Sequence, residues 1–527
     1  MYISKARIMI RRKILTLIVA LSFGMIGPNV YLSAQTKQKD IHELDFQFTA
    51  RYRNNILAPT WPIYQQNYAL DALTASLPRF ERFFDKDDVI MSRNGKGLKL
   101  TAKNASSKQI FKAFPKIQAP CVLAKVSVNE YSEEHTSMLG FANETNSAIL
   151  KKINNNDRDE FFFELKQTGQ ETITQTFSGV PTNGKPYTLY FFLGNDDFRF
   201  MIETNEGVKH IGIVSVKRTC FTKKEEFKGF APAFGVELGA NDFATIGAFS
   251  AGYFEGIGHA DIRSVTYDDG EPVRNERGNF YISTSARFMG KNGGSGGICV
   301  YEMDANGRIV RPVSVIVAED DSWIEAGTAA KLVFDRETEQ WLYVARAFPS
   351  PGGVLCIGKT KENLLHDGLH LITCKKYEGI VGNSLDGDLI KIDKEWFIAY
   401  HGGHPRKLHI AKSKDLETWK EISVTQTGEG IAIARKNGEY FIVDATSPTT
   451  MDVRKMFNPS EVVGSIKLAP SPGNHRAHGG FPWGCIIPVD QGDSQKFLMV
   501  CFSMDEYIEN GSGGIFTYGD IFSYSSF

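Results

Sequence analysis

Five stretches decide the fold: His259-Ala-Asp-Ile-Arg-Ser-Val265, Glu325-Ala-Gly-Thr-Ala-Ala-Lys-Leu-Val333, Leu385-Asp-Gly-Asp-Leu-Ile-Lys-Ile392, Glu429-Gly-Ile-Ala-Ile-Ala-Arg435 and His478-Gly-Gly-Phe-Pro-Trp-Gly-Cys-Ile-Ile-Pro488. Their starts lie 66, 60, 44 and 49 residues apart. Each is followed by a turn and an aromatic-rich second run, at residues 280–284, 341–345, 396–400, 440–443 and 497–502. A third run follows each time, at 298–301, 354–358, 408–411, 452–455 and 514–518. Five copies of a three-to-four-stranded unit, recurring every 40–65 residues or so, is the sequence pattern of a β-propeller. Small residues on the first strand (Ala260, Gly327, Ala329, Gly387, Gly430, Gly479) suit a crowded central channel. A five-bladed propeller is expected over residues 256–527.

Upstream, helix signals are scarce, and the one helix expected spans residues 70–84. Short alternating runs at 97–102, 121–126, 137–142, 160–165, 187–193, 199–204, 211–216 and 233–238 read as strands. The pair Gly97-Leu-Lys-Leu-Thr-Ala102 and Cys121-Val-Leu-Ala-Lys-Val126 resembles the opening of a concanavalin-like jelly-roll. The fold class is therefore all-β, a β-sandwich over residues 42–255 followed by the propeller. Such a sandwich either holds glycan or only packs against its neighbour.

Residues 1–34 carry Lys5, Arg7, Arg11, Arg12 and Lys13, no acid, an apolar run at 14–23 and the small-residue exit Leu32-Ser33-Ala34. That is the pattern of a secretory signal peptide, so the protein is expected to be exported, periplasmic or secreted. Gly24, Pro28 and Asn29 end the apolar run too early for a membrane span. Removing the segment takes the net charge from −1 to −6, which leaves no basic excess for nucleic acid. The seven cysteines stand singly with no Cys-x-x-Cys, so most are expected as small buried residues, and no metal or cofactor is signalled.

The inner strands of a propeller converge on one funnel, and here their starts supply Asp261, Glu325, Asp386, Asp388, Glu429 and His478. Any one of these carboxylates would ordinarily bond backbone amides at a strand end. Four blades opening with one is a different matter, because carboxylates sharing a pocket separate into protonated and ionised forms. A glycosidic bond needs that split: an acid at the leaving oxygen and an ionised partner at water or carbon. Trp323 and Trp483 are placed to stack on sugar rings, and His259 and Arg263 flank Asp261. Further basic residues near the strand starts (His401, His404, Arg406, His475, Arg476) would suit a uronic or sulfated sugar.

The order Asp, Asp, Glu on inner strands resembles the glycoside hydrolase family 43 and 32 superfamily. Ser413-Lys-Asp-Leu-Glu-Thr-Trp419 is similar to that group's recurring S-x-D-L-x-x-W run, and Thr360-Lys-Glu-Asn-Leu364 is a weaker copy. Gly428-Glu-Gly-Ile-Ala-Ile-Ala-Arg-Lys-Asn-Gly-Glu-Tyr-Phe441 resembles its general-acid segment, and His478-Gly-Gly its G-H-G element. The resemblance implies Asp261 as general base, Glu429 as general acid and Asp386 as the group that holds the acid in place with a raised pKa. It implies single-step inversion on a polysaccharide or oligosaccharide, arabinofuranosides or xylosides in particular. Ile262 stands where the family has Pro, Asp388 competes with Asp386, and the sandwich precedes the propeller. Two rival readings stay open: a propeller polysaccharide lyase using His or Tyr on a uronate, and a glycan-binding protein without catalysis.

Overall fold

The computed structural model describes residues 40–527 except 55, 68–79, 85–88, 104, 114, 156–157, 218, 289–294, 348–353, 378, 448, 469–482, 491–495, 505–517 and 527. Within that set the chain is nearly all strand, and its helical elements are the short Ile41–Glu43 and Lys224–Phe227. None is long and apolar enough to cross a membrane. The signal-peptide segment lies outside the described residues. So does most of the expected helix at 70–84, whose described end, Phe80–Phe84, is instead a strand paired with Ser107–Ala113. Three aromatics in five residues favour that pleated conformation over a helix.

The first half builds two sheets of seven and eight strands packed face to face. The period of two along Tyr187–Leu193 shows why. Leu189, Phe191 and Leu193 point into the sandwich core, where Phe191 meets Phe141 with ring centroids 5.2 Å apart. Tyr190 and Phe192 point the other way, into a second cluster with Phe254, Ile257 and Phe288. There Phe192 and Phe288 stack at 4.3 Å and 10°. Each ring is fully buried and contributes about 2–3 kcal/mol by leaving water. That stack fastens the sandwich to the second half of the chain.

The second half contains five four-stranded antiparallel sheets in chain order. Their inner strands are Gly258–Ser264, Thr328–Asp335, Leu385–Ile392, Glu429–Lys436 and Cys485–Pro488. Each inner strand neighbours the next, and the fifth neighbours the first. Two features lay outside the sequence reading. The outermost strands of the first two sheets, Ile309–Glu319 and Gly368–Lys376, pair in parallel and, with the short Thr266–Tyr267 and Ile324–Glu325, fuse them into one ten-stranded sheet. Two edges thereby satisfy each other's backbone groups. The fifth sheet takes its fourth strand, Phe46–Tyr52, from the start of the chain, paired with Tyr518–Ser526. Arg51 and Arg53 flank this strand's end and both reach the fully buried Asp520, Arg53 Nε at 2.8 Å.

Glu255 sits where the sandwich hands over to the first inner strand. Its Oε1 accepts from Asn54 Nδ2 at 2.9 Å, and the rings of Tyr52, His259 and Tyr301 lie close by, 5.3–5.7 Å from one another. Burial pushes its carboxyl up to about 7, against the pull of a hydrogen bond with Tyr301. The folded state therefore keeps a proton that the unfolded chain releases at the usual value of 4.5. Stability should fall as pH rises from about 4.5 to about 7, by up to about 3 kcal/mol, and stay level above that. Glu255→Gln should flatten this slope and raise the urea midpoint at pH 8. An unchanged slope in that variant would contradict the assignment.

Candidate active site

Four inner strands carry the same irregularity near their start. The ladder slips between Ala260 and Arg263, Thr328 and Lys331, Leu385 and Asp388, and Glu429 and Ala432. At each slip one residue takes a left-handed backbone: Asp261 (φ 54°), Ala329 (53°), Asp386 (56°) and Gly430 (68°). A bulge leaves its extra residue out of the ladder and re-aims the side chain, and Asp accepts the left-handed region more easily than most residues. Asp261 and Asp386 are therefore equivalent in the repeat, Ala329 holds that place in the second sheet, and Glu429 comes one residue before it. In the second sheet the released amide of Ala329 donates to Ser285 Oγ of the first, at 2.9 Å.

Arginines and a histidine partner the three carboxylates. Arg287 Nη2 contacts Asp261 Oδ2 at 3.0 Å. Asp386 Oδ2 is 3.1 Å from His401 Nδ1, and its Oδ1 is 3.5 Å from Arg263 Nη2. Arg406 Nη1 meets Glu429 Oε1 at 3.2 Å and also acts on Asp386. Burial works against the charge on Asp386, yet the His401 hydrogen bond, then Arg263, hold its carboxyl below the ordinary value. Asp386 is thus a fixed anion. Asp261 and Asp386 are buried, whereas Glu429 is part-exposed at the open end of its strand.

The remaining candidates divide. Asp388 is occupied by structure: Lys331 lies 3.2 Å away, and its Oδ2 accepts from the Ile433 amide at 2.7 Å. Lys331 in turn reaches Ser264 Oγ at 3.2 Å, so this group joins four consecutive inner strands. Arg263 is fully buried, with Nε and Nη2 lacking hydrogen-bond partners among the described residues. His259 is also fully buried, bonds Tyr301 through Nε2 at 2.7 Å, and is pushed down to about 4 by burial. Glu325 lies away from the other carboxylates, accepting from Asn195 Nδ2 of the sandwich at 3.2 Å. Trp323 packs partly buried against the core of the first two sheets. Trp483 presses on the Gly430 bulge, where an added Cβ would come 2.5 Å from the Trp483 Cβ. His478 lies outside the described residues.

The motif at Ser413–Trp419 proves to be architecture. Asp415 Oδ1 accepts from the amides of Thr418 and Glu417, both at 2.8 Å, and from Ser413 Oγ at 2.9 Å, which lower its pKa to about 2. This turn drives Leu416 and Trp419 into the core of the third sheet. All seven cysteines are buried free thiols. Sequence reasoning missed Arg287 and Arg346. The available signal was positional: the second strands of the first three sheets place Arg287, Arg346 and His401 opposite Gly258, Thr328 and Leu385, where the inner strands begin. A cleft of about 970 Å³ opens elsewhere, between the sandwich and the second sheet, lined by Lys116, Lys224 and Ile324 among others and by none of the candidate carboxylates.

No known protein family matches the chain, and no curated protein matches its sequence. Similar solved structures include a family 117 glycoside hydrolase from the marine bacterium Zobellia galactanivorans. It is 11% identical over 51% of this chain and 84% of that one, with a TM-score of 0.35. A thermostable family-43 glycoside hydrolase is 13% identical over 50% of this chain and 88% of that one, with a TM-score of 0.32. A legume lectin-like domain from Entamoeba histolytica is 8% identical over 37% of this chain and all of that one, with a TM-score of 0.28. Each aligns with part of the chain only, at scores too low to define a common fold.

The ion pair beneath the site is testable by itself. Lys331→Ala leaves Asp388 buried without its cation and should cost about 3 kcal/mol in chemical denaturation. An unchanged midpoint would mean that Asp388 has another partner.

Proposed function

We propose that this protein is an exported glycoside hydrolase, acting on a polysaccharide or oligosaccharide at the mouth of a five-bladed propeller formed by the five sheets. The observation that carries the reading is the set of ion pairs Asp261–Arg287, Asp386–Arg263 and Glu429–Arg406, with Arg406 acting on Asp386 as well. Arg406 joins the carboxylates of the third and fourth inner strands, and Arg263, two residues after Asp261, carries the first inner strand to Asp386. In this reading Glu429, part-exposed at its strand end, is the general acid at the leaving oxygen. Asp261 is the base that takes a proton from the attacking water, and water then adds to the anomeric carbon in one inverting step. Asp386, held ionised by His401 and Arg263, shares Arg406 with Glu429 and so positions the acid. Residues 1–34 serve as the export signal.

A lyase would need an accessible imidazole or phenol to take the proton. His259 and His401 are fully buried, whereas His404 is exposed, so the product itself decides between the two. The test is turnover on a panel of plant and acidic glycans, with products separated by chromatography and unsaturated ends read by ultraviolet absorbance. Glu429→Gln and Asp261→Asn should each lower kcat by about 10²–10⁴-fold with the thermal midpoint preserved. Unsaturated products, or full turnover by Glu429→Gln, would overturn the reading.

A further inference from the structure

The cleft of about 970 Å³ between the two halves of the chain has no part in the candidate active site. Its volume lies near the top of the range, about 300–1,000 Å³, in which proteins hold small molecules. Its floor is aliphatic. Ile117 of the sandwich and Ile324 at the edge of the first sheet are 2% and 4% exposed, and Ile63 and Leu371 pack part-buried against the same core. Its walls are fastened in place. The Ile117 amide donates to the Phe230 carbonyl at 2.8 Å, the Lys224 amide to the Ser322 carbonyl at 3.0 Å, and the Ile324 amide to the Thr222 carbonyl at 3.1 Å. The last two bonds cross between the halves, so the fold itself shapes the cavity.

Cations stand at the rim. Lys116 and Lys228 are exposed and Lys224 is part-buried. Lys116 Nζ hangs over Gly229, where an added Cβ would come 3.9 Å from it, so its ammonium sits beside the residue that follows Lys228. Lys224 Nζ lies 3.1 Å from Glu319 Oε1, and Lys228 Nζ is 3.6 Å from Glu225 Oε1. Asp320, next to Glu319, is spent on the amides of Ser322 and Trp323 at 2.8 and 2.7 Å. Lys116 has no ion pair among the described residues. Setting Glu319 and Glu225 against the three lysines therefore leaves one positive charge over. An ammonium offers three donors and no acceptor, which a carboxylate complements. Among the described residues no aromatic ring lines the cleft, so it has no flat face on which a sugar ring would stack.

We propose that this cleft binds a small organic carboxylate with an aliphatic body, the chain lying along Ile63, Ile117, Ile324 and Leu371 and the carboxylate meeting Lys116 and Lys228 at the rim. The apolar depth and the cationic edge match the two ends of such a molecule. They match neither an inorganic anion nor a neutral sugar. None of the candidate carboxylates lines the cleft, and the proposal is independent of the hydrolase reading.

The experiment is calorimetric titration of the purified protein with acetate, hexanoate, octanoate and decanoate, with decyltrimethylammonium, and with trigalacturonate as an acidic sugar. It is repeated on Lys116→Ala, Lys228→Ala and Leu371→Asn, with thermal midpoints as the check on folding. Both lysines are exposed, so their variants should fold whatever becomes of Leu371→Asn. The expected result is an affinity that rises from hexanoate to decanoate by up to about fourfold per methylene, with no binding of acetate or decyltrimethylammonium. Lys116→Ala should weaken decanoate about fivefold or more, and Lys228→Ala by less, because Glu225 already draws on it. Leu371→Asn should lessen the gain per methylene. Failure of decanoate to bind, equal binding of the cationic amphiphile, or unchanged decanoate affinity in Lys116→Ala would each overturn the site. Trigalacturonate bound more tightly than decanoate, and lost in Lys116→Ala, would overturn the ligand class and give the cleft to an acidic glycan.

Discussion

The geometry of the candidate site depends on one backbone constraint, the left-handed residue that interrupts the inner strands near their start. In a regular ladder Asp261 and Asp386 would alternate between the two faces of a sheet, spaced by the pleat. The bulge takes them out of that alternation at equivalent points of two sheets. The next sheet solves the same constraint with Gly430 and places its carboxylate, Glu429, one residue earlier. Three acids of two geometric kinds result from one repeated irregularity. The residue two places after the slip then returns to the ladder, and there Arg263, Lys331 and Asp388 form the buried charges below the site.

Strain of this kind persists only where its surroundings over-determine it. Ser285 and Ser283 of the first sheet bond the Ala329 amide and the Ala330 carbonyl at 2.9 and 2.6 Å, and Asp388 of the third sheet bonds the Ile433 amide of the fourth. The first sheet thus holds the irregular backbone of the second, and the third bonds the fourth just past its slip. The site is supported from the side by adjoining sheets as well as by its own strands.

The all-β class was legible because short aromatic and apolar runs recur between turn residues at a readable spacing. The equivalence of positions was not. A bulge adds one residue without altering composition, so sequence alone aligned Glu325 with Asp261, whereas the structural equivalent is Ala329. The Ser413–Trp419 run was visible, but its type is shared by binding loops and by turns. Only the amides converging on Asp415 show that it caps a turn. The hydrogen bond of Asn195 with Glu325 joins residues 130 apart. Long-range polar pairing leaves no local periodicity to read. Arg346 and His401 are a partial exception, since each stands opposite the residue just before the slip of its inner strand.

The fourth strand of the last sheet comes from the beginning of the chain, and Thr49 Oγ1 donates to the carbonyl of Ser523 across 474 residues. This pairing gives the ring a definite order of assembly. Local sheets can form as soon as their own turns close, but the seam has to wait until nearly the whole polypeptide has been made. Until then Phe46–Tyr52 has no partner strand, leaving an open strand edge and Arg51 and Arg53 without Asp520. Seams of such large sequence separation form slowly, since the entropy of closing the loop is lost before any contact is gained. A ribosome stalled short of the C-terminus would therefore carry a chain whose sandwich and first four sheets had every strand they need and whose ring was unlocked.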